Sequence, residues 1–289
     1  MAFPKDLTVA VASGKGGTGK TTVSTSLALA AAGAGLKVTY ADCDVEEPNG
    51  HLFLKPEISR SWPVGIPVPA VDEEKCTLCG ICGEVCQYKA IACLGSTVLT
   101  FDKMCHGCGG CALACPVSAI SEKTREIGVV EEGRAGAVSF LHGRTNVGEP
   151  MSPPLIRAVR GAAEEKKGLV VVDAPPGTTC PVVASVRGAD FVLLVTEPTP
   201  FGVNDLELAV DMMRKLEIPH AVLINKARPG RTLAAEYCRR EGVEVLGEIP
   251  DDRLVAEVLS RGELPLEQVP GYSDRIKELL IYLLKEARK

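Results

Sequence analysis

Continuous apolar runs, rather than alternating ones, set the rhythm of this chain. Leu7 to Ala12, Leu36 to Ala41, Leu169 to Val172, Phe191 to Val195 and Ala221 to Ile224 each read as a strand buried on both faces. Helical stretches lie between and after them: an Ala-rich one from Lys20 to Ala32, one from Leu155 to Glu165, and an amphipathic one from Asp205 to Leu216. The last segment carries Ile276, Leu279, Leu280, Leu283 and Leu284 at i, i+3, i+4, i+7, i+8 spacing, which predicts a helix covering one face of a sheet. Strands alternating with helices predict an α/β fold: a doubly wound, mostly parallel sheet with helices on both faces.

That rhythm stops between about Lys55 and Glu126. Lys55 to Ala70 is rich in proline (Pro56, Pro63, Pro67, Pro69) and reads as an irregular linker. Beyond it, Ala90 to Cys93, Val98 to Phe101 and Ala119 to Ser121 read as short strands of a small inserted domain. Glu126 to Ser139, punctuated by Gly128, Gly133 and Gly136, suggests a hairpin that returns the chain to the first domain. The expected organisation is residues 1–55 and 127–289 forming one domain, with 56–126 inserted.

Composition narrows the class. Hydrophobic residues make up 46% of the 289 but aromatics only 4%, so the core is mostly Ala, Val, Leu and Ile. The net charge of -5 and the lack of a long basic run argue against nucleic acid as a partner. With no signal peptide and no unbroken 18-residue apolar span, a cytoplasmic protein is expected.

Chemistry enters where the first strand ends. In Val9 to Thr22, Gly14, Gly19, Lys20 and Thr21 fit the pattern G-x-x-x-x-G-K-[ST]. Backbone amides of Gly14, Gly16, Gly17, Thr18 and Gly19 wrap phosphates in such a loop, Lys20 reaches the β/γ oxygens, and Thr21 ligates Mg²⁺ beside Thr22. The helix that follows puts its positive end on the same anion. ATP or ADP with Mg²⁺ is the expected ligand. Leu169 to Asp173 is the strand that would complete this site, since Asp173 can hold the Mg²⁺ shell and Gly177, after Pro175 and Pro176, can turn an N–H to the γ-phosphate. Asp42 and Asp44 close the second strand, at the ligand edge of an open α/β sheet.

Eight of the twelve cysteines fall into two runs, Cys76-x2-Cys79-x2-Cys82-x3-Cys86 and Cys105-x2-Cys108-x2-Cys111-x3-Cys115-Pro116. Each run bends round one cube with three thiolates while its fourth cysteine reaches the other, so two 4Fe-4S clusters are expected. Cys76, Cys79, Cys82 and Cys115 would hold one, and Cys105, Cys108, Cys111 and Cys86 the other. Zinc, whose four ligands usually come as two separated pairs, suits this spacing poorly. Gln87 stands where a proline usually follows the fourth cysteine. Cys93 is expected to be a buried thiol, His106 an exposed polar residue, and Cys180 a small packing residue.

K-G-G-T-G-K-T, with Lys15 directly after Gly14, resembles the deviant Walker A loop of the MinD/ParA, Mrp-type and nitrogenase iron protein ATPases. The cysteine runs make the whole resemble members of the MinD superfamily that carry an inserted two-cluster ferredoxin domain. In that group the first lysine, here Lys15, crosses a face-to-face ATP-bound homodimer and acts in the manner of an arginine finger. The resemblance further implies that Asp44 positions or activates the attacking water and that Asp42 lies near the metal. D-x-P-P-G would be a nucleotide-sensing switch, Asn225 would read the adenine amino edge, and the loop of Pro250 and Asp251 would pack on the base. It also raises a membrane-binding C-terminal helix, against which Glu278 and Glu286 argue by repelling anionic lipid.

The expected function is a slow, partner-stimulated ATPase that couples nucleotide state to electron transfer, or to metal or Fe-S cluster assembly, on a redox or metallocluster partner. Eight thiolates and two oxidised cores lower the charge to roughly -9, which favours a basic protein partner. The alternative is a redox-sensing regulatory switch with no net transfer. An amide-forming ligase shares the ATPase fold but needs a glutamine amidotransferase domain, for which this length has no room.

Overall fold

The structure, a computed structural model, describes residues 6–286. Its strands are β1 (Leu7–Ala12), β2 (Val38–Asp42), β3 (Glu57–Val71), β4 (Ile91–Leu94), β5 (Thr97–Thr100), β6 (Ile120–Ala135), β7 (Val138–Thr145), β8 (Leu169–Asp173), β9 (Phe191–Thr196), β10 (His220–Ala227) and β11 (Val245–Pro250). Its helices are α1 (Lys20–Gly33), α2 (Gly50–Leu54), α3 (Ile81–Val85), α4 (Gly110–Leu113), α5 (Pro153–Glu164), α6 (Cys180–Val186), α7 (Pro200–Lys215), α8 (Leu233–Glu241), α9 (Arg253–Ser260) and α10 (Tyr272–Glu286). The chain forms two compact units. One comprises the described residues up to Ser61, Val130–Arg144 and those from Ile156 on; the other comprises Trp62–Val129 and Thr145–Leu155.

The sheet order is β11-β10-β9-β1-β8-β2-β7-β6-β3, and most of β6 and β3 belongs to the second unit. The pairs from β11 to β7 are all parallel. Successive residues of these strands point to opposite faces. On one face Val9, Val11, Tyr40, Phe140, Val171 and Leu193 join Leu27 of α1 and Ile276, Leu279, Leu280 and Leu283 of α10 in one core. On the other, Val170, Val172, Val192, Leu194 and Val222 are buried, and α6, α7 and α8 pack on β1, β9 and β10. The expected terminal stripe is therefore spent on the core. Among the described residues no helix is long and apolar enough to cross a membrane.

The proline-rich stretch is not a linker. It is β3, the edge strand of the sheet. Proline fixes φ near a value extended chain tolerates and lacks only the N–H. Asp72 N donates to the Ala119 carbonyl at 2.8 Å, so even-numbered amides face the neighbouring strand; Pro63, Pro67 and Pro69 are all odd-numbered, and their missing donors fall on the free edge. The hairpin expected from Glu126 to Ser139 is also longer than its glycine punctuation indicated, because β6 absorbs the short strand at Ala119 to Ser121.

In the second unit, β4 and β5 form an antiparallel ribbon, with Cys93 opposite Val98. The sequence repeat shows in the backbone: Leu78 and Gly107, Gly80 and Gly109, and Lys89 and Ser118 hold equivalent places in the two runs and all have positive φ.

α2 meets β2 so closely that a Cβ at Gly50 would overlap the Tyr40 ring. Gly50→Ala should therefore lower stability by about 1–3 kcal/mol in a urea titration, although alanine is the better helix former.

Candidate functional site

In the first unit a cavity of about 500 Å³ opens at the C-terminal ends of β1, β2, β8, β10 and β11. Gly16, Gly17, Gly19, Lys20, Thr21 and Thr22 form its phosphate-loop side, and Asp44, Pro176, Asn225, Pro250 and Asp251 also line it. Gly17 and Gly19 sit at φ 78° and 96°, where a side chain would strain the backbone. Gly14 is needed for another reason: a Cβ there would overlap the Asp205 carbonyl of α7. Lys20 begins α1, so the positive end of a 14-residue helix faces the cavity.

Electrostatics centre on two carboxylates. β2 and β8 are in register with Asp42 opposite Asp173, both essentially inaccessible to water. Burial, and for Asp42 also the charge of Asp173, push both carboxyls above their ordinary range. Asp42 accepts from Gly50 N at 2.9 Å and Asp44 N at 3.1 Å, while Asp173 Oδ2 accepts from the Tyr40 hydroxyl at 2.9 Å. Asp173 Oδ1 is buried without a hydrogen-bond partner. Lys20 is only 6% exposed; burial lowers its pKa, against the pull of Asp173, Asp44 and Asp42. Burial and the charge of Asp173 raise Asp44 to about 6. A crowded acidic site with one orphaned oxygen is an environment that a divalent cation relieves.

The structure places the remaining expected groups as follows. Asp42 does not line the cavity, and both its oxygens are engaged by backbone amides. Gly177 has φ 97°, but its N–H donates to the Ser13 carbonyl at 3.0 Å instead of remaining free. Gly14, Lys15, Thr18 and Asp173 also lie outside the lining. Lys15 Nζ lies 3.2 Å from Glu197 Oε2 of its own chain. Asn225 lines the cavity while its Nδ2 donates to the Thr18 carbonyl at 2.7 Å, and Asp251 pairs with Arg228. Sequence reading missed the apolar wall of Leu52, Phe53, Val255 and Leu259. Its signal is present: Asp252 caps α9, and Val255, Val258 and Leu259 follow at helical spacing. Cys43 and Cys238 are buried, whereas Cys180 is exposed at the start of α6.

The second unit contains two hollows. Cys76, Cys79, Cys82 and Cys115 line one; Cys86, Cys105, Cys108 and Cys111 line the other. The structure thus brings each expected set of four thiols together. Cys86 and Cys115 accept hydrogen bonds from the amides four residues on, Ala90 at 3.3 Å and Ala119 at 3.2 Å. Among the described residues no group of three or more His, Cys, Asp or Glu side chains converges as a single ion requires. Thiols spread round a hollow suit a larger, all-thiolate-bound group. His106 is exposed as expected but stacks on Tyr88, with ring centroids 3.5 Å apart, at the second hollow. Cys93 is half-buried rather than buried.

Comparison with known proteins agrees with the fold. Residues 9–266 match the CobQ/CobB/MinD/ParA nucleotide binding domain family. An uncharacterized protein of Methanocaldococcus jannaschii is 30% identical over 96% of this chain and 98% of its own length. An iron-sulfur cluster carrier protein of Pyrococcus horikoshii is 27% identical over 41% of this chain and 47% of its own. The structure of the septum site-determining protein MinD of Pyrococcus horikoshii, complexed with Mg-ADP, superposes with a TM-score of 0.59 at 18% identity, covering 98% of this chain and 96% of that one.

Because Asp44 binds its proton more tightly folded than unfolded, its contribution to stability is present below about pH 4 and lost as pH rises through about 6. Thermal melts of nucleotide-free protein should show that Asp44→Asn gains stability relative to the parent across this window.

Proposed function

Because the chain belongs to the CobQ/CobB/MinD/ParA nucleotide-binding family, we propose that it is an iron-sulfur ATPase that links its nucleotide state to transfer of electrons, or of an Fe-S cluster, to a partner protein. The observation that carries this reading is the sorting of eight thiols into two four-thiol hollows on a chain that also holds a phosphate-loop cavity.

In the cavity the loop amides and Lys20 take the phosphates of ATP. Thr21 and Asp173, with its unpartnered oxygen, would hold Mg²⁺. Asp44, raised to about 6, is ionised at neutral pH yet basic enough to orient and deprotonate the attacking water. Pro250 and Asp251 border the base, and the apolar wall supplies packing for it. MinD bound to Mg-ADP, with the same fold, supports this placement. Two copies pair on ATP, with Lys15 leaving Glu197 to reach the partner's nucleotide.

The eight cysteines suit two 4Fe-4S clusters, which supply one-electron chemistry when bound. The backbone amides of Ala90 and Ala119 hold the Cys86 and Cys115 sulfurs in place by hydrogen bonding to them. The similarity to an iron-sulfur cluster carrier protein supports a cluster as the alternative cargo. An acidic chain, made more acidic by its clusters, fits a basic face on the partner.

Iron and sulfide analysis of anaerobically reconstituted protein should give about eight irons per chain, and Cys86→Ser or Cys115→Ser should each lose about four. Lys20→Ala should retain its iron while the ATPase rate falls at least roughly 100-fold. Delivery of electrons or cluster to an acceptor should then no longer respond to ATP. Delivery that still responded to ATP in Lys20→Ala, or a chain that bound single ions only, would defeat the reading.

A further inference from the structure

The phosphate loop is short of restraints of its own. Four of its residues, Gly14, Gly16, Gly17 and Gly19, lack side chains, and a glycine-rich segment loses much entropy when fixed. Its bracing comes from outside. At the end of β10, Lys226 Nζ donates to the Gly17 carbonyl at 2.8 Å and Asn225 Nδ2 to the Thr18 carbonyl at 2.7 Å. A trans peptide is planar, so fixing these two carbonyls also fixes the N–H groups of Thr18 and Gly19, which point the opposite way. A Cβ at Gly19 would overlap the Asn225 amide, so the brace needs glycine there.

The lysine in this brace is itself held. Glu197, at the end of β9, receives Lys226 Nζ on Oε1 at 2.6 Å and Lys15 Nζ on Oε2 at 3.2 Å. One carboxylate therefore ties Lys15, at the start of the loop's glycine segment, to the lysine that holds Gly17 within it. Its side chain is 14% exposed; burial raises its pKa, but the bonds from Lys226 and Lys15 outweigh this and hold it below the ordinary range. Lys226 sits at φ 53°, rarely adopted by a residue with a side chain, where the register between β10 and β11 shifts. Partly exposed ion pairs add little to folding stability. A strained lysine placed on a backbone carbonyl is better explained by what it positions.

We propose that Glu197 and Lys226 are positioning residues: Glu197 holds the Lys226 ammonium on the Gly17 carbonyl, and this bracket, with Asn225, presets the loop amides for the phosphates of a nucleotide. The inference rests on the cavity being a nucleotide site. It predicts that the bracket acts on affinity and much less on turnover, because it is in place before the reaction begins.

The test uses the full, cluster-loaded chain and a fluorescent N-methylanthraniloyl-ADP with Mg²⁺. Lys226→Met and Glu197→Gln should each weaken binding roughly tenfold, the loss of one charge-assisted hydrogen bond. The double variant should bind no more weakly than Lys226→Met, since both changes remove the same restraint. For Lys226→Met, turnover at saturating ATP should change less than affinity, and for both variants the nucleotide-free melting temperature should stay near that of the parent. Binding by either single variant within twofold of the parent, fully additive losses, or a loss that only tracks a fall in melting temperature would overturn the bracket. A parent chain that fails to bind the probe would instead overturn the nucleotide reading itself.

Discussion

Two carboxylates placed side by side at the ends of adjacent parallel strands are the constraint to which much of this structure responds. The register of β2 on β8 sets Asp42 against Asp173 in a region that water does not reach. Such a pair is costly unless each oxygen finds a partner. Asp42 is satisfied by the turn that follows it, through Asp44 N and Gly50 N, and this fixes how the chain leaves β2 and enters α2. Asp173 takes the Tyr40 hydroxyl, which holds that ring in the core against Phe140, 5.8 Å away. The remaining Asp173 oxygen has no hydrogen-bond partner of good geometry, with the hydroxyls of Thr21 and Ser24 and the Lys20 cation nearby. Core packing and loop conformation thus follow from one strand register.

Much of this was legible in the sequence, because each signal was local. Continuous apolar runs located β1, β2, β8, β9 and β10, and the glycines with Lys20 and Thr21 located the loop. Cysteine spacing indicated which thiols share a hollow. What remained illegible depends on partners distant in sequence. Nothing near Gly177 indicates that its N–H is taken by Ser13, and nothing near Asn225 indicates that its amide holds Thr18, 207 residues away. The prolines of β3 misled for a related reason: they forbid an interior strand, and only the sheet order reveals that this one is at the edge. α8 was missed because its apolar residues are few, and α9 and β11 because they are short segments separated by a polar turn, although the Asp252 cap and the spacing of Val255, Val258 and Leu259 signal α9.

The two units draw on different physics. The first buries a large aliphatic core and uses it to aim strand ends at one cavity. The second has little core; ten of its large apolar side chains, among them Leu78, Leu94, Phe101 and Leu113, are exposed. Its repeated backbone turns, at Leu78 and Gly107 and at Gly80 and Gly109, orient the two thiol sets alike.

Coupling between nucleotide state and the clusters is the central claim, and one anaerobic experiment addresses it directly. The reconstituted, reduced protein is mixed with ADP, with ATP or with a non-hydrolysable ATP analogue, and its EPR spectrum and rate of oxidation by an acceptor are recorded. If the two modules are coupled, the ATP and analogue samples will differ from the ADP sample in signal or in rate. Identical spectra and identical rates in all three would contradict the claim and leave two independent functions on one chain.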